Sequence, residues 1–133
     1  MESPEVRRRT MQAVKSKDTA PELLVRSLAH RMGYRFRLHR KDLPGKPDLV
    51  FPGRRKAIFV HGCFWHGHDC ARGARVPKNN RDYWTKKIAR NREHDRGACT
   101  ALTLSGWKYL ILWECNLGNE QGLKAQVRKF LNT

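Results

Sequence analysis

The run His61-Gly62-Cys63-Phe64-Trp65-His66-Gly67-His68-Asp69-Cys70 puts two thiols, three imidazoles and two large aromatics into ten consecutive residues. Ordinary cores and loops do not need that mixture. Thiolate and imidazole are the ligands of tetrahedral zinc, so the segment constrains the chain to close around a metal-sized point. Cys63-x4-His68-x-Cys70 offers three ligands close together, and a fourth must come from elsewhere. Cys115 follows an apolar run and is rigidly placed to supply it, whereas Cys99 falls mid-helix among apolar neighbours, where a thiol behaves as a small hydrophobe. Spacing alone leaves His66 and His68 interchangeable as the imidazole ligand. Four protein ligands close a site, so the zinc is expected to be structural, bracing a loop that carries Phe64, Trp65 and a spare imidazole for proton transfer.

Charge narrows the partners. The chain has 28 Lys and Arg against 12 Asp and Glu, a net charge of +16, spread from Arg7 to Lys129. Such a field attracts polyanions by counterion release, and aromatics interleaved with the cations suit stacking on bases. A membrane surface is the rival polyanion, but nothing resembles a lipid-facing helix, so nucleic acid is the expected partner and no membrane is. With no apolar signal core and no bilayer-length run, the chain is expected to be intracellular, where thiols serve as ligands rather than disulfides.

Residues 1–17, with Arg7-Arg8-Arg9, read as a basic arm before a single domain over residues 18–133. Thr19-Ala20-Pro21-Glu22 is a capping-box signature, Leu24, Leu28 and Met32 follow on one helical face, and Gly33 is a natural stop. Tyr34, Phe36 and Leu38 alternate with Arg35, Arg37 and His39 as a half-buried strand. A turn through Leu43-Pro44-Gly45-Lys46-Pro47 delivers Asp48 to the strand Leu49–Phe51, and Pro52-Gly53 turns into the strand Ala57–Val60. From Arg81 to Leu104 a long helix carries Trp84, Ile88, Asn91, Asp95, Cys99 and Leu102 in one stripe, ended by Ser105-Gly106. Tyr109–Trp113 reads as a fully buried strand, and Leu123, Val127, Phe130 and Leu131 mark a terminal amphipathic helix. This order predicts an α/β domain, a mixed sheet covered by helices. Asp48 opens one strand of a hairpin whose other strand runs to His61, so the two ends can converge on a hard cation such as Mg²⁺. An Asp after Pro is also simple turn chemistry.

Pro44-Gly45-Lys46-Pro47-Asp48, Val60-His61-Gly62-Cys63-Phe64-Trp65-His66, Trp84 through Asn91 and Asp95, and Trp113-Glu114-Cys115 together closely resemble the very-short-patch-repair (Vsr) DNA mismatch endonucleases. The likeness runs in order from about Arg9 to Cys115. It implies a restriction-endonuclease-like variant of the PD-(D/E)xK fold and a nick in one strand beside a T:G mismatch, the product of 5-methylcytosine deamination. By the same resemblance, Asp48 holds the catalytic Mg²⁺ with the main-chain carbonyl of Val60. His66 is the general base, supported by His61 and Asp95. Cys63, His68, Cys70 and Cys115 are the zinc ligands. Phe64, Trp65 and Trp84 wedge beside the mismatch from the major groove, and Met11 enters from the opposite groove. A mismatched step resists unstacking less than a paired one, so wedging aromatics can select it.

Competing roles stand beside these. Glu22 matches a position near the active site, while its capping-box place accounts for it as well. Asp95 can instead pair with a buried Arg or His, Trp84 by default is core, and His61 can be a structural histidine. Val60 replaces the family's frequent Thr, which a backbone contact tolerates, and Gly67 makes the His cluster leaner than the family pattern. A single-strand nick leads to the expectation of a monomer on double-stranded DNA, in the bacterial cytoplasm at the nucleoid, with mismatch-repair factors as candidate partners. The alternative is a zinc-stabilised mismatch binder without catalysis.

Overall fold

The computed structural model describes residues 19–133 apart from His39, Arg72 and Arg75. The basic arm, Met11 within it, and the assigned arginine run lie outside the described residues. The elements are α1 (Ala20–Arg31), β1 (Arg37–Leu38), β2 (Leu49–Phe51), β3 (Lys56–His61), α2 (Arg81–Leu104), β4 (Lys108–Trp113) and α3 (Glu120–Asn132). One four-stranded mixed sheet runs β1-β2-β3-β4; the first three strands are antiparallel, and β4 lies parallel to β3. The α/β architecture is the one the sequence pattern predicts. Among the described residues no helix is long and apolar enough to cross a membrane.

Strand β3 is buried along its whole length, so both of its faces are covered. Ile58 and Val60 join Leu49, Phe51 and Leu112 against α1 and α3, which contribute Val25, Leu28, Val127 and Leu131. Each fully buried aliphatic side chain there contributes about 1.5–3 kcal/mol. Ala57, Phe59 and His61 alternate to the opposite face, the side of the long helix α2. The turn before β2 passes between that helix and the strand. A Cβ on Gly45 (φ +76°) would stand 2.7 Å from Ala98 Cβ and 3.0 Å from Phe59, so only glycine lets the turn through. That close passage sets Asp48 at the head of β2.

Four expectations change. The face of α1 that is buried is Val25, Leu28 and Ala29, while Leu24 is 43% exposed. Helical spacing allowed either stripe. Thr19 makes no side-chain cap hydrogen bond, so the capping box does not form. The first strand is only two residues, both exposed, because it borders the sheet. The last strand, β4, is also at an edge, and of its residues only Leu112 is buried. An apolar run with one neighbour strand is covered on one side only.

Candidate metal cage and catalytic cleft

The parallel register brings His61 opposite Trp113. The loop after His61 and the turn after Trp113 therefore start from the same end of the sheet. Cys115 lies in the short 3₁₀ turn Glu114–Asn116 that follows β4. Ligand atoms of Cys63, His68, Cys70 and Cys115 all come within 4.8 Å of one another, and His68 Nδ1 is 3.5 Å from Cys115 Sγ. Those separations suit one tetrahedral ion. Burial pushes the Cys63 thiol up to about 12, with the neighbouring thiols adding to the rise. A bound metal would reverse that effect at Cys63, because it deprotonates its thiol ligands. The cage is held from outside. Glu114 Oε1 accepts the Cys63 N–H at 3.2 Å, the Gly73 N–H reaches Cys70 Sγ at 3.4 Å, and the His68 ring stacks on Trp113 at 4.1 Å. Cys99, whose thiol meets the Tyr109 hydroxyl, stands apart from the cage.

His66 goes elsewhere, which separates the two imidazoles that spacing left interchangeable. Its Nδ1 lies 2.6 Å from Asp95 Oδ2, and both side chains are 26% exposed. The carboxylate engages Nδ1, which leaves Nε2 outside this hydrogen bond. The partner of Asp95 on the inward stripe of α2 is therefore a histidine. His61 stacks flat under His66, with ring centroids 3.7 Å apart and planes 4° from parallel. Ligand atoms of His61, His66 and Asp95 also cluster. However, lone pairs of stacked rings lie in parallel planes and do not point at one ion, so the arrangement suits proton handling better than chelation. Burial, reinforced by His66, lowers the His61 pKa to about 4 against the opposing pull of Asp95. It is neutral at ordinary pH. A cleft of about 580 Å³ opens beside the pair, with Arg92, Arg96 and Trp113 also on its wall.

Asp48 stands on the near side of the sheet. Its N–H donates to the Ile58 carbonyl at 3.1 Å, while its Oδ2 accepts the Val60 N–H at 2.6 Å. Pro47, the preceding residue, has no N–H to give, and the Val60 N–H on the facing strand is met by the Asp48 carboxylate instead. A strand residue sends its N–H and C=O to the same edge, so the Val60 carbonyl faces the Asp48 side. Burial raises the Asp48 carboxyl to about 6; the Val60 hydrogen bond opposes this, Glu22 adds to it, and Arg26 and His66 draw it down. An oxygen pair of this kind, carboxylate and carbonyl at a buried edge, fits a hard divalent cation. Glu22 is turned inward to an ion pair with Arg26, Oε2 to Nη2 at 3.1 Å, with both side chains only 13% exposed.

The aromatics form one cluster. Phe64, Trp65 and Trp84 meet edge to face at 5.2–5.7 Å, and Tyr83 joins through Trp84 at 5.1 Å. Phe64 and Trp65 are half-buried, whereas Trp84 is 8% exposed and forms the base of the cluster. Helical periodicity thus describes Trp84 in the free protein. Gly67 sits at φ +60°, where a Cβ would meet Ile88 and Arg92 at 2.7 and 2.8 Å. The leaner His cluster is the condition for this loop to lie tight on α2.

Three residues were not read from the pattern. Asn91 Nδ2 donates to the Trp65 carbonyl at 2.9 Å, Glu114 braces the cage, and Arg26 joins Glu22 beside Asp48. Asn91 stood on the predicted stripe, and that inward place on a charged helix was its signal. Arg26 carried none, being one basic residue in a basic helix.

Comparison with known proteins agrees with this assembly. The family model described as DNA mismatch endonuclease Vsr matches residues 1–72. The type II nicking enzyme V.XorIIP of Xanthomonas oryzae pv. oryzae is 55% identical over 130 residues, covering 98% of this chain and 95% of that protein. The type II nicking enzyme V.NmeAIP of Neisseria meningitidis is 43% identical over 122 residues, 92% of this chain and 84% of its own. The DNA mismatch endonuclease Vsr of Escherichia coli is 41% identical over 121 residues, 91% and 77% respectively. With these relatives covering 91–98% of its length, the chain belongs to the Vsr family of DNA mismatch endonucleases.

Proposed function

We propose that this chain is a Mg²⁺-dependent endonuclease, braced by zinc, that nicks one strand of duplex DNA beside a T:G mismatch and so starts very short patch repair. One observation carries the reading. Asp48, the Val60 backbone, the His66–Asp95 pair and the Phe64-Trp65 edge gather where the head of β2, the end of β3, the loop that follows it and α2 meet. The fold then serves as a variant of the PD-(D/E)xK nuclease architecture, with Asp48 as its leading carboxylate.

Asp48 and the Val60 carbonyl would hold Mg²⁺, and Cys63, His68, Cys70 and Cys115 would hold Zn²⁺. When bound, Mg²⁺ supplies neutralisation of the charge that develops on the scissile phosphate. His66 takes the proton of the attacking water at Nε2, and Asp95 holds the ring and steadies the imidazolium that results. His61, neutral beneath it, keeps a second positive charge away from that ring. Phe64 and Trp65 enter the duplex beside the mismatch, Trp84 follows as the cluster opens onto the bases, and Met11 acts from the other groove. Wedging costs a few kcal/mol per step, least at a mismatch. The +16 charge holds the phosphate backbone. The chain works as a monomer in the bacterial cytoplasm, on nucleoid DNA, where it hands its product to mismatch-repair factors.

End-labelled duplexes carrying T:G or C:G, in varied methylated-cytosine contexts with Mg²⁺ or EDTA, test the reading. A Mg²⁺-dependent nick beside the mismatched T is expected, and Asp48→Ala should lower it at least about 10³-fold with duplex binding kept. Equal nicking by Asp48→Ala removes the metal assignment. Tight mismatch binding with no nick in any context makes the chain a binding module.

A further inference from the structure

Gly67 leaves a place that a side chain of α2 fills. At φ +60° a Cβ on this glycine would stand 2.8 Å from Arg92 Cδ and 3.4 Å from its Cγ. The methylenes of Arg92 therefore lie on the backbone of the loop, one residue from His66. An arginine commonly rests its stem on other atoms and keeps its charged head in water. Here the stem is seated, and Arg92 belongs to the wall of the cleft that His61, His66 and Asp95 also line.

That wall is cationic. Arg96, one helical turn on, lines the same cleft. Among the described residues Asp95 is the only carboxylate there, and its Oδ2 is engaged by His66. Neither arginine has an ion-pair partner among the described residues. Lys86 and Arg90 of α2 are exposed as well but stand off the cleft, so a basic helix alone does not account for the place of Arg92. On the nuclease reading the scissile phosphate comes to His66. Phosphates of one strand advance only about 3.4 Å along the duplex axis per nucleotide. With one phosphate at His66, a neighbouring one comes within reach of a side chain seated on the next residue. A guanidinium presents its N–H donors in a planar fork that matches two phosphate oxygens. A stem already held loses less freedom when that contact forms.

We propose that Arg92 is a substrate-binding residue of the cleft, a guanidinium seated on Gly67 that holds a backbone phosphate next to the one that is cut. The proposal rests on the nuclease reading and adds to it a contact from α2 that depends on the glycine at position 67. A simpler role, in which Arg92 only covers the loop, needs its methylenes and not its charge. Arg92→Met separates the two, because Met keeps an aliphatic stem on Gly67 and loses the guanidinium.

Duplex binding by the full-length zinc-loaded protein, with Mg²⁺ left out, tests this over a series of salt concentrations. The probes are T:G and C:G duplexes and a set of T:G duplexes that each carry one neutral methylphosphonate in place of a phosphate. Arg92→Met should weaken both plain duplexes about tenfold. It should flatten the dependence of log affinity on log salt by about 0.9, with zinc content and melting temperature kept. The parent should lose affinity at a neutralised phosphate adjoining the nick, and Arg92→Met should no longer sense that position. Lys129→Gln, on α3 across the sheet from α2, removes an equal charge and should keep the parental profile. If Arg92→Met matches the parent within twofold in affinity, with the same slope and profile, the proposal is overturned; an equal loss in Lys129→Gln overturns it too. Nicking of the T:G duplex by the parent with Mg²⁺ runs beside these. A nick together with an unchanged Arg92→Met profile removes the contact and leaves the nuclease reading standing, whereas a parent that never nicks fails that reading itself. Should Arg92→Met lose zinc or melt early, Arg92→Gln is judged by the same profile.

Discussion

The ten residues from His61 to Cys70 feed two clusters that lie side by side with opposite chemistry. Cys63, His68 and Cys70 turn inward with Cys115 to a common point, and Cys63 is fully buried. His61 and His66 stack flat instead, with one carboxylate on the upper ring and a cleft beside them. The first arrangement is closed upon itself, and four ligands leave a metal no open position. The second leaves Nε2 of His66 outside its hydrogen bond to Asp95. Alternating neighbours in a short loop thus serve two clusters at once, because the backbone that carries Cys63, His68 and Cys70 also carries His66.

Breaking the cage should have the largest effect. Cys115→Ala removes the ligand farthest away in sequence and unties β4 from the loop. Zinc content should fall to near zero, the thermal midpoint by about 10 °C or more, and nicking to background. Metal analysis and calorimetry check this; a stable, zinc-loaded Cys115→Ala protein would mean that the four residues do not form one site. Next comes the imidazole–carboxylate cluster. His66→Ala should slow nicking by about 10²–10⁴-fold while keeping stoichiometric zinc and the parental melting temperature. Loss of zinc from that variant would merge the two clusters and reverse their roles. Asp95→Asn should fall in the same direction by a smaller factor, since it leaves the ring in place and removes only its charged partner.

The smallest effect is one of pH. The Asp48 carboxyl stands at about 6 against an ordinary 3.8. As its folded value is raised, the ionised form is the costly one, and that cost is relieved as pH falls below about 6. A proton therefore competes with Mg²⁺ in that range. Half-saturating Mg²⁺ for nicking should stay level above pH 6 and rise about tenfold per unit below it. A level value from pH 7 down to pH 5 would remove Asp48 from the metal site.

Elements with strong local signals were readable before any fold was known. The helix from Arg81 to Leu104 lies at the expected residues because Ser105 and Gly106, with φ +82° at the glycine, end it. The hairpin followed from turn residues and two apolar runs. The buried stripe of α1 did not, because Leu24 and Val25 serve equally well until another element chooses between them. Nor did the exposure of β4, since an apolar run carries no mark of how many strands will flank it. Trp84 gave both signals, a core position by periodicity and an interface residue by resemblance, and in the free chain it is buried.

For the site, sequence by itself determined which chemistry was on offer. Thiols and imidazoles at metal-ligand spacing, a carboxylate after proline and a polycationic surface are properties of side chains and short intervals, which need no fold to be recognised. Local spacing left open how they were shared out; the family resemblance implied a division, and the tertiary structure shows the physical reason for it. It brings His68 to Cys115 in the cage and His66 to Asp95 on α2. These choices depend on where β3, β4, α1 and α2 place residues tens of positions apart. Such distances are set by the packing of whole elements, and no local spacing encodes them.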